Sequence, residues 1–144
     1  MTIERGGTLM NTLMGTIVDI HSSDMISMIN VDVDGDIFSS IILEGKKGPF
    51  HYKLAEKAHL LFKETEVGIA KNLSGLISFR NRFPARIKKV ETGPVLSKII
   101  LDYRGKWIES IISTRSVGDM GLKEDDHVEW LVKTNEVSLM PIPQ

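Results

Sequence analysis

Cysteine is absent from this 144-residue chain, which excludes disulfides and thiolate metal ligands. Aromatic residues make up only 6% of it, a thin supply for the stacking platforms that grip single-stranded nucleic acid. No apolar run approaches the roughly twenty residues a membrane-spanning helix needs. Residues 1–15 lack a basic start followed by a long apolar stretch, so no secretory signal is visible. A cytoplasmic protein without membrane contact is the expectation. Charge of one sign is not in excess either, since 18 Lys and Arg stand against 19 Asp and Glu, and the net charge is −1. With 42% hydrophobic residues the chain has enough apolar material for a core or two small ones.

What the chain does have is an internal repeat. Residues 8–70 slide onto 78–140 without a gap, and this register superposes Lys63-Glu-Thr-Glu-Val67 on Lys133-Thr-Asn-Glu-Val137. It also matches Asn11 with Asn81, Asp32 with Asp102, Gly35 with Gly105, and Ser-Ile-Ile at 40–42 with the same triplet at 110–112. Roughly a quarter of the aligned positions are identical, more than a gapless chance match gives. Two repeats are therefore delimited, over 1–72 and 73–144. A unit of about seventy residues is marginal alone because it buries a small fraction of its surface, so packing against its twin or another subunit is expected. Residues 1–70 carry 6 Lys and Arg against 10 Asp and Glu, and residues 71–144 carry 12 against 9. An anion-handling surface is thus expected in the second repeat, although charge drift on solvated faces explains the difference equally well.

The pattern within each repeat is that of short strands. In the second, β-branched and alternating segments lie at 83–90, 96–103, 107–112, 126–133 and 136–140, with a tight turn at Arg104-Gly105. The segment 113–121 reads as one helical stretch with Ser113 as its cap and Gly121 as its left-handed stop. The first repeat matches with strands at 15–20, 25–33, 37–43, 58–62 and 67–70. Its connection at 44–52 contains two glycines and a proline, which disfavour a regular helix, and residues 71–77 read as a linker. The fold class expected is all-β with a short helical element per repeat, as two tandem five-stranded barrels of the OB type.

Catalytic and metal-binding patterns are missing. No Gly-rich phosphate loop, nucleophile elbow or paired-carboxylate motif appears, so the chain reads as no enzyme. His21, His51, His59 and His127 lack metal-ligand spacing, and no metal site is expected. The acidic run from Asp32 to Asp36 lacks the later bidentate Glu of a calcium loop and reads as a solvated turn. Asn11 and Asn81 read as residues satisfying backbone at turns, and their retention in both repeats points to a shared structural duty. Ile41-Ile42 and Ile111-Ile112 read as core.

The second repeat opens on Ser78-Phe79-Arg80-Asn81. It carries Ser113-Thr114-Arg115-Ser116-Val117 before Met120-Gly121-Leu122, and it closes on Lys133-Thr134-Asn135-Glu136-Val137. In order and spacing this resembles the molybdenum-pterin binding family, the molbindins, with their Mop or TOBE-like domain, in its tandem di-domain form. That family's domain opens with Ser-Ala-Arg-Asn, carries Thr-x-x-Ser-Val before Leu-Gly-Leu, and ends on Lys-Ala-Ser-x-Val.

The resemblance implies binding of molybdate or tungstate, with no organic cofactor, for storage, buffering or sensing. It also implies a homo-oligomer, a trimer of di-domain chains, with sites where domains or subunits meet. Carried over by position, the oxyanion-binding residues are Ser78, Arg80, Ser113, Lys133 and Thr134. Thr8, Lys63, Thr65, Asn81 and Ser116 are secondary contributors. Their chemistry agrees, because a tetrahedral dianion needs hydrogen-bond donors and positive charge and no general base. Backbone N–H groups after Ser113 add to that set. Each residue also has an ordinary role, Ser113 as a helix cap, Arg80 in a surface ion pair and Lys133 as a solvated charge.

Departures from the pattern are local. Phe79 replaces the family alanine and Ser113 the threonine. The first repeat keeps Thr8 and Lys63 but has Met10 for the arginine, Leu43 for the hydroxyl and Lys46 for the later serine. Two other readings remain open. One is an OB-type nucleic-acid binder, supported only by the basic stretch 80–89; the other is an interaction module that kept the fold and lost its ligand.

Overall fold

The computed structural model describes residues 2–5, 8–43 and 52–143, with side chains from residue 10 onward. Eleven strands and one helix fall along the described chain. The first repeat supplies β1 (Thr2–Arg5), β2 (Thr8–Ser23), β3 (Ile26–Val33), β4 (Asp36–Leu43), β5 (Lys57–Lys63) and β6 (Gly68–Ala70). The second supplies β7 (Asn81–Thr92), β8 (Leu96–Tyr103), β9 (Lys106–Ser113), α1 (Thr114–Met120), β10 (His127–Val132) and β11 (Ser138–Pro141). A 3-10 turn, Glu64–Glu66 or Thr134–Glu136, precedes the last strand of each repeat.

Alternation sets these strands, as in β3, where Ser27, Ile29, Val31 and Val33 point inward and their neighbours face out. The two-residue hairpin turns at Asp34-Gly35 and Arg104-Gly105 have positive φ at both positions, the conformation that matches strand twist. β2 and β7 are longer than the sequence pattern predicts. Each bends at a bulge, between Ile17 and Asp19 or between Ile87 and Lys89, at equivalent positions of the repeat. Such a bulge lets one long strand serve two parts of a curled sheet. α1 is capped by Ser113 Oγ, which accepts from the Ser116 N–H, and closed by Gly121 at φ 61°, as its sequence predicts. The corresponding connection of the first repeat, including Lys46 and His51, lies outside the described residues.

The strands form two sheets, in the orders β11-β5-β2-β3-β4, with β1 beside β2, and β6-β10-β7-β8-β9. Each sheet borrows its edge strand from the other repeat. β6 pairs with β10 through Gly68 and Leu131, whereas β11 pairs with β5 through Ser138 and Leu61. The fold is therefore the expected pair of curled five-stranded, OB-like sheets, with its closing strands exchanged.

A shared core follows. Phe38 and Phe62 of the first repeat meet Phe83, Tyr103 and Trp130 of the second, with the Phe38 and Phe83 centroids 4.2 Å apart and Phe62 stacked on Trp130 at 5.5 Å. The hairpin tips also meet. Lys106 pairs with Asp34, Arg104 pairs with Asp36 at 3.3 Å, and the buried Tyr103 hydroxyl donates to Asp36 at 2.5 Å. Part of the charge difference between the repeats is thus neutralised internally. The acidic turn is exposed at Asp34 and Gly35, as a solvated turn should be, and is in addition ion-paired, because the basic turn of its twin packs beside it. Burial, then the adjacent Asp36 carboxylate, raises the Tyr103 phenol above its usual range.

The linker is tied down by Lys71, whose ammonium donates to Asp126 at 3.0 Å and to the Gly121 carbonyl at 3.3 Å. The Lys71 hydrogen bond, followed by those from Lys123, lowers the Asp126 carboxyl to about 2. A depressed carboxyl stabilises the fold above its unfolded value near 4 and loses that contribution as pH falls towards 2. Thermal melts should therefore drop over this window in the parent chain, and less steeply in Asp126→Asn. Equal slopes would show that the pair is not maintained in solution. Among the described residues no helix is long and apolar enough to cross a membrane.

Candidate functional site

Two equivalent seams join the repeats. In one, the buried Asn11 amide donates to the Glu109 carbonyl and accepts from the Glu109 N–H, both at 2.8 Å. In the other, Asn81 does the same with Ser39, at 2.9 and 2.7 Å. A strand residue of one repeat thus completes the main chain of a strand in the other. The duty shared by these asparagines is structural, as their retention suggests, although the backbone they satisfy is strand rather than turn. Ser110 Oγ donates to the Val67 carbonyl at 2.6 Å and Ser40 Oγ to the Val137 carbonyl at 2.5 Å, fixing each 3-10 turn against the opposite repeat.

Arg80 and Lys133 lie immediately outside the last paired positions of β7 and β10, Asn81 and Val132. Asn81, held by Ser39, therefore places Arg80 beside the Asn81 seam. The Arg80 Nε donates to Ser39 Oγ at 3.2 Å, and Ser39 Oγ donates to Asn30 Oδ1 at 2.6 Å. Thr134 follows Lys133 in the 3-10 turn packed on β4. Ser78 is exposed two residues before Arg80, in a stretch without regular structure. Among the described residues, none of Arg80, Lys133 and Lys63 forms an ion pair with a carboxylate. A cation at a domain seam without a protein anion suits an external one.

Two grooves flank the seams. Lys133 lines one of about 320 Å³, on the side of β9 and the first 3-10 turn, with Thr65, Glu66, Phe79, Ile111, Ile112 and Glu136. Its equivalent, about 300 Å³, lies among Ile41, Ile42, Tyr52, Asn135 and Leu139. Of the isoleucine pairs read as core, Ile42 and Ile112 are half-buried and pack against it while also walling the grooves, whereas Ile41 is exposed and Ile111 half-buried in the groove walls. The structure thus brings Lys133 and Thr65 together across the repeats. Ser113 stands one residue beyond Ile112, and its Oγ is engaged with the Ser116 N–H and hydroxyl. Lys63 is exposed and paired in register with Met10. Both ends of the Asn81 amide are engaged by Ser39, and the Thr8 side chain lies outside the described residues.

The Asn11 seam is built differently. Lys98 lies 3.1 Å from Glu109 and 3.8 Å from Glu64, and both carboxylates are buried. Burial raises the Glu64 carboxyl, with Lys98 acting against it. The Lys98 ammonium is raised chiefly by its hydrogen bond to Glu109. Sequence reading missed this triad and the role of Ser39. The signal was there in the repeat register, which sets Glu64 against Thr134, Lys98 against Met28 and Glu109 against Ser39.

The TOBE domain family model matches residues 77–139. "Molybdenum-pterin-binding protein 3" of Clostridium pasteurianum is 31% identical over 65 residues, which cover 96% of that protein and 44% of this chain. The chain belongs to the molbindin family. This molbindin also resembles the "Molybdenum import ATP-binding protein ModC" of Brucella abortus, at 28% identity over 93% of the chain. It spans about a third, 34%, of the length of that relative. Among solved structures, the molybdate-bound "cytoplasmic molybdate-binding protein ModG" superposes with a TM-score of 0.85 at 21% identity, covering 92% of the molbindin and 96% of ModG. That likeness shows the fold over 92% of the chain, across both repeats.

Proposed function

We propose that this molbindin binds molybdate or tungstate as a cytoplasmic storage, buffering or sensing protein rather than as an enzyme. Its site lies at the seam between repeats, with the completed assembly, a trimer of di-domain chains, bringing further seams together. The observation that carries this reading is the state of Arg80 and Lys133. Both are exposed at the end of one ladder without a carboxylate ion-pair partner among the described residues; Ser78 lies two residues before Arg80, Thr134 directly follows Lys133, and Ser39 holds Arg80. Arginine offers a planar fork of N–H groups, lysine a compact charge, and hydroxyls rotate to donate, the set a tetrahedral dianion requires. Ser113 contributes after release from its helix cap. The names of the relatives support molybdenum oxyanion as the ligand.

Titration calorimetry with molybdate, tungstate and sulfate tests it. The parent chain should bind the first two in preference to sulfate. Arg80→Ala and Lys133→Ala should each weaken binding on the order of 10- to 100-fold, the value of a charge-assisted hydrogen bond lost. No heat from the parent chain at millimolar ligand would overturn the proposal.

A further inference from the structure

We infer that only one of the two equivalent seams takes an oxyanion, because the other is already filled by the protein's own carboxylates. The inference rests on the proposed function and adds which seam is competent and what closes its twin. The repeat register makes the comparison position by position. The register sets Ser39, Thr134, Met28 and Arg80 of the Asn81 seam against Glu109, Glu64, Lys98 and Met10 of the Asn11 seam; Arg80 touches Ser39 in the first, and Lys98 touches Glu109 and Glu64 in the second. β9 packs on the first 3-10 turn as β4 packs on the second, so the four positions occupy corresponding places in the two seams.

The chemistry is exchanged between them. The Asn81 seam offers hydroxyls and a guanidinium, with no carboxylate among the described residues in ion-pair contact with Arg80. At the Asn11 seam the cation has moved to Lys98, which holds Glu109 at 3.1 Å and Glu64 at 3.8 Å. Glu64 and Glu109 are only 9% and 7% exposed, so neither swings readily into solvent to admit a ligand. One Glu64 oxygen, Oε2, is buried without a hydrogen-bond partner. A dianion entering beside Lys98 meets two carboxylates for one ammonium, and Met10 stands where the second repeat has Arg80. Glu64 and Glu109 thus stand where a ligand's negative charge would stand, and Lys98 is their counter-ion.

The test is stoichiometry. Calorimetry of the parent chain and of Arg80→Ala with molybdate should show that the wild-type-affinity phase disappears entirely in the variant. Survival of half the sites at parental affinity would overturn the inference while leaving the proposed function standing; a silent parent chain would overturn both. Glu64→Gln with Glu109→Gln, made in the Arg80→Ala chain, preserves volume and frees Lys98, and should restore a molybdate-binding phase. A variant with parental circular dichroism and no restored phase would show that the carboxylates are not the barrier. NMR of the unmodified chain gives a readout that needs no variant to fold. On molybdate addition the Arg80 Nε resonance should shift and the Lys98 Nζ resonance should stay; the reverse pattern overturns the assignment.

Discussion

Replacing Asn81 with leucine is expected to destabilise the chain by about 2–6 kcal/mol, with no change in the slope of its urea transition. The substitution strands the Ser39 N–H and carbonyl in a buried seam, and an unpaired buried polar group costs about 1–3 kcal/mol. The amide is fully buried, and both of its hydrogen bonds are shorter than 3 Å. Asn11→Leu should behave alike, since it strands Glu109 in the same way. A loss below about 1 kcal/mol would mean that water replaces the amide and that the seam is open to solvent.

Trp130→Ala should remove about 3–5 kcal/mol, the usual cost of deleting a large buried aromatic. Unfolding should remain a single transition. Trp130 touches Phe38 and Phe62 from the first repeat and Phe83 and Tyr103 from the second, all with centroids within 6 Å. With β6 and β11 exchanged as well, neither sheet loses its core without exposing the edge of the other. Coincident loss of far-ultraviolet dichroism and Trp107 fluorescence on heating would bear this out. Two separated transitions would show that the repeats melt independently.

Much of this architecture is legible in the chain. The repeat register pairs Asn11 with Asn81 and so exposes a shared duty before any coordinate is known, and alternation places the strands from 25 to 43 and from 96 to 112. The exchange of β6 and β11 is not legible. A strand of three or four residues carries an alternation too short to name its partner, and nothing local distinguishes the edge of its own sheet from the edge of its twin. Ile41 and Ile111 mislead for a related reason, since an apolar residue in a strand looks the same whether it faces a core or the wall of a groove. Lys98 escapes notice because its meaning depends on Glu109, diagonally across the β8–β9 hairpin, and on Glu64, which lies far from it in sequence and comes close only once the first 3-10 turn packs onto β9. Arg80 and Lys133 are legible through family resemblance; their adjacency at one ladder end emerges only from the β7–β10 register.

We propose an oxyanion at the Asn81 seam between the repeats. Anomalous scattering from crystals grown with tungstate tests it most directly. A tungsten peak within hydrogen-bonding reach of Arg80 and Lys133, with none beside Lys98, is the expected result. A peak flanked by Glu64 and Glu109, or a fully occupied peak remote from Arg80, would contradict it.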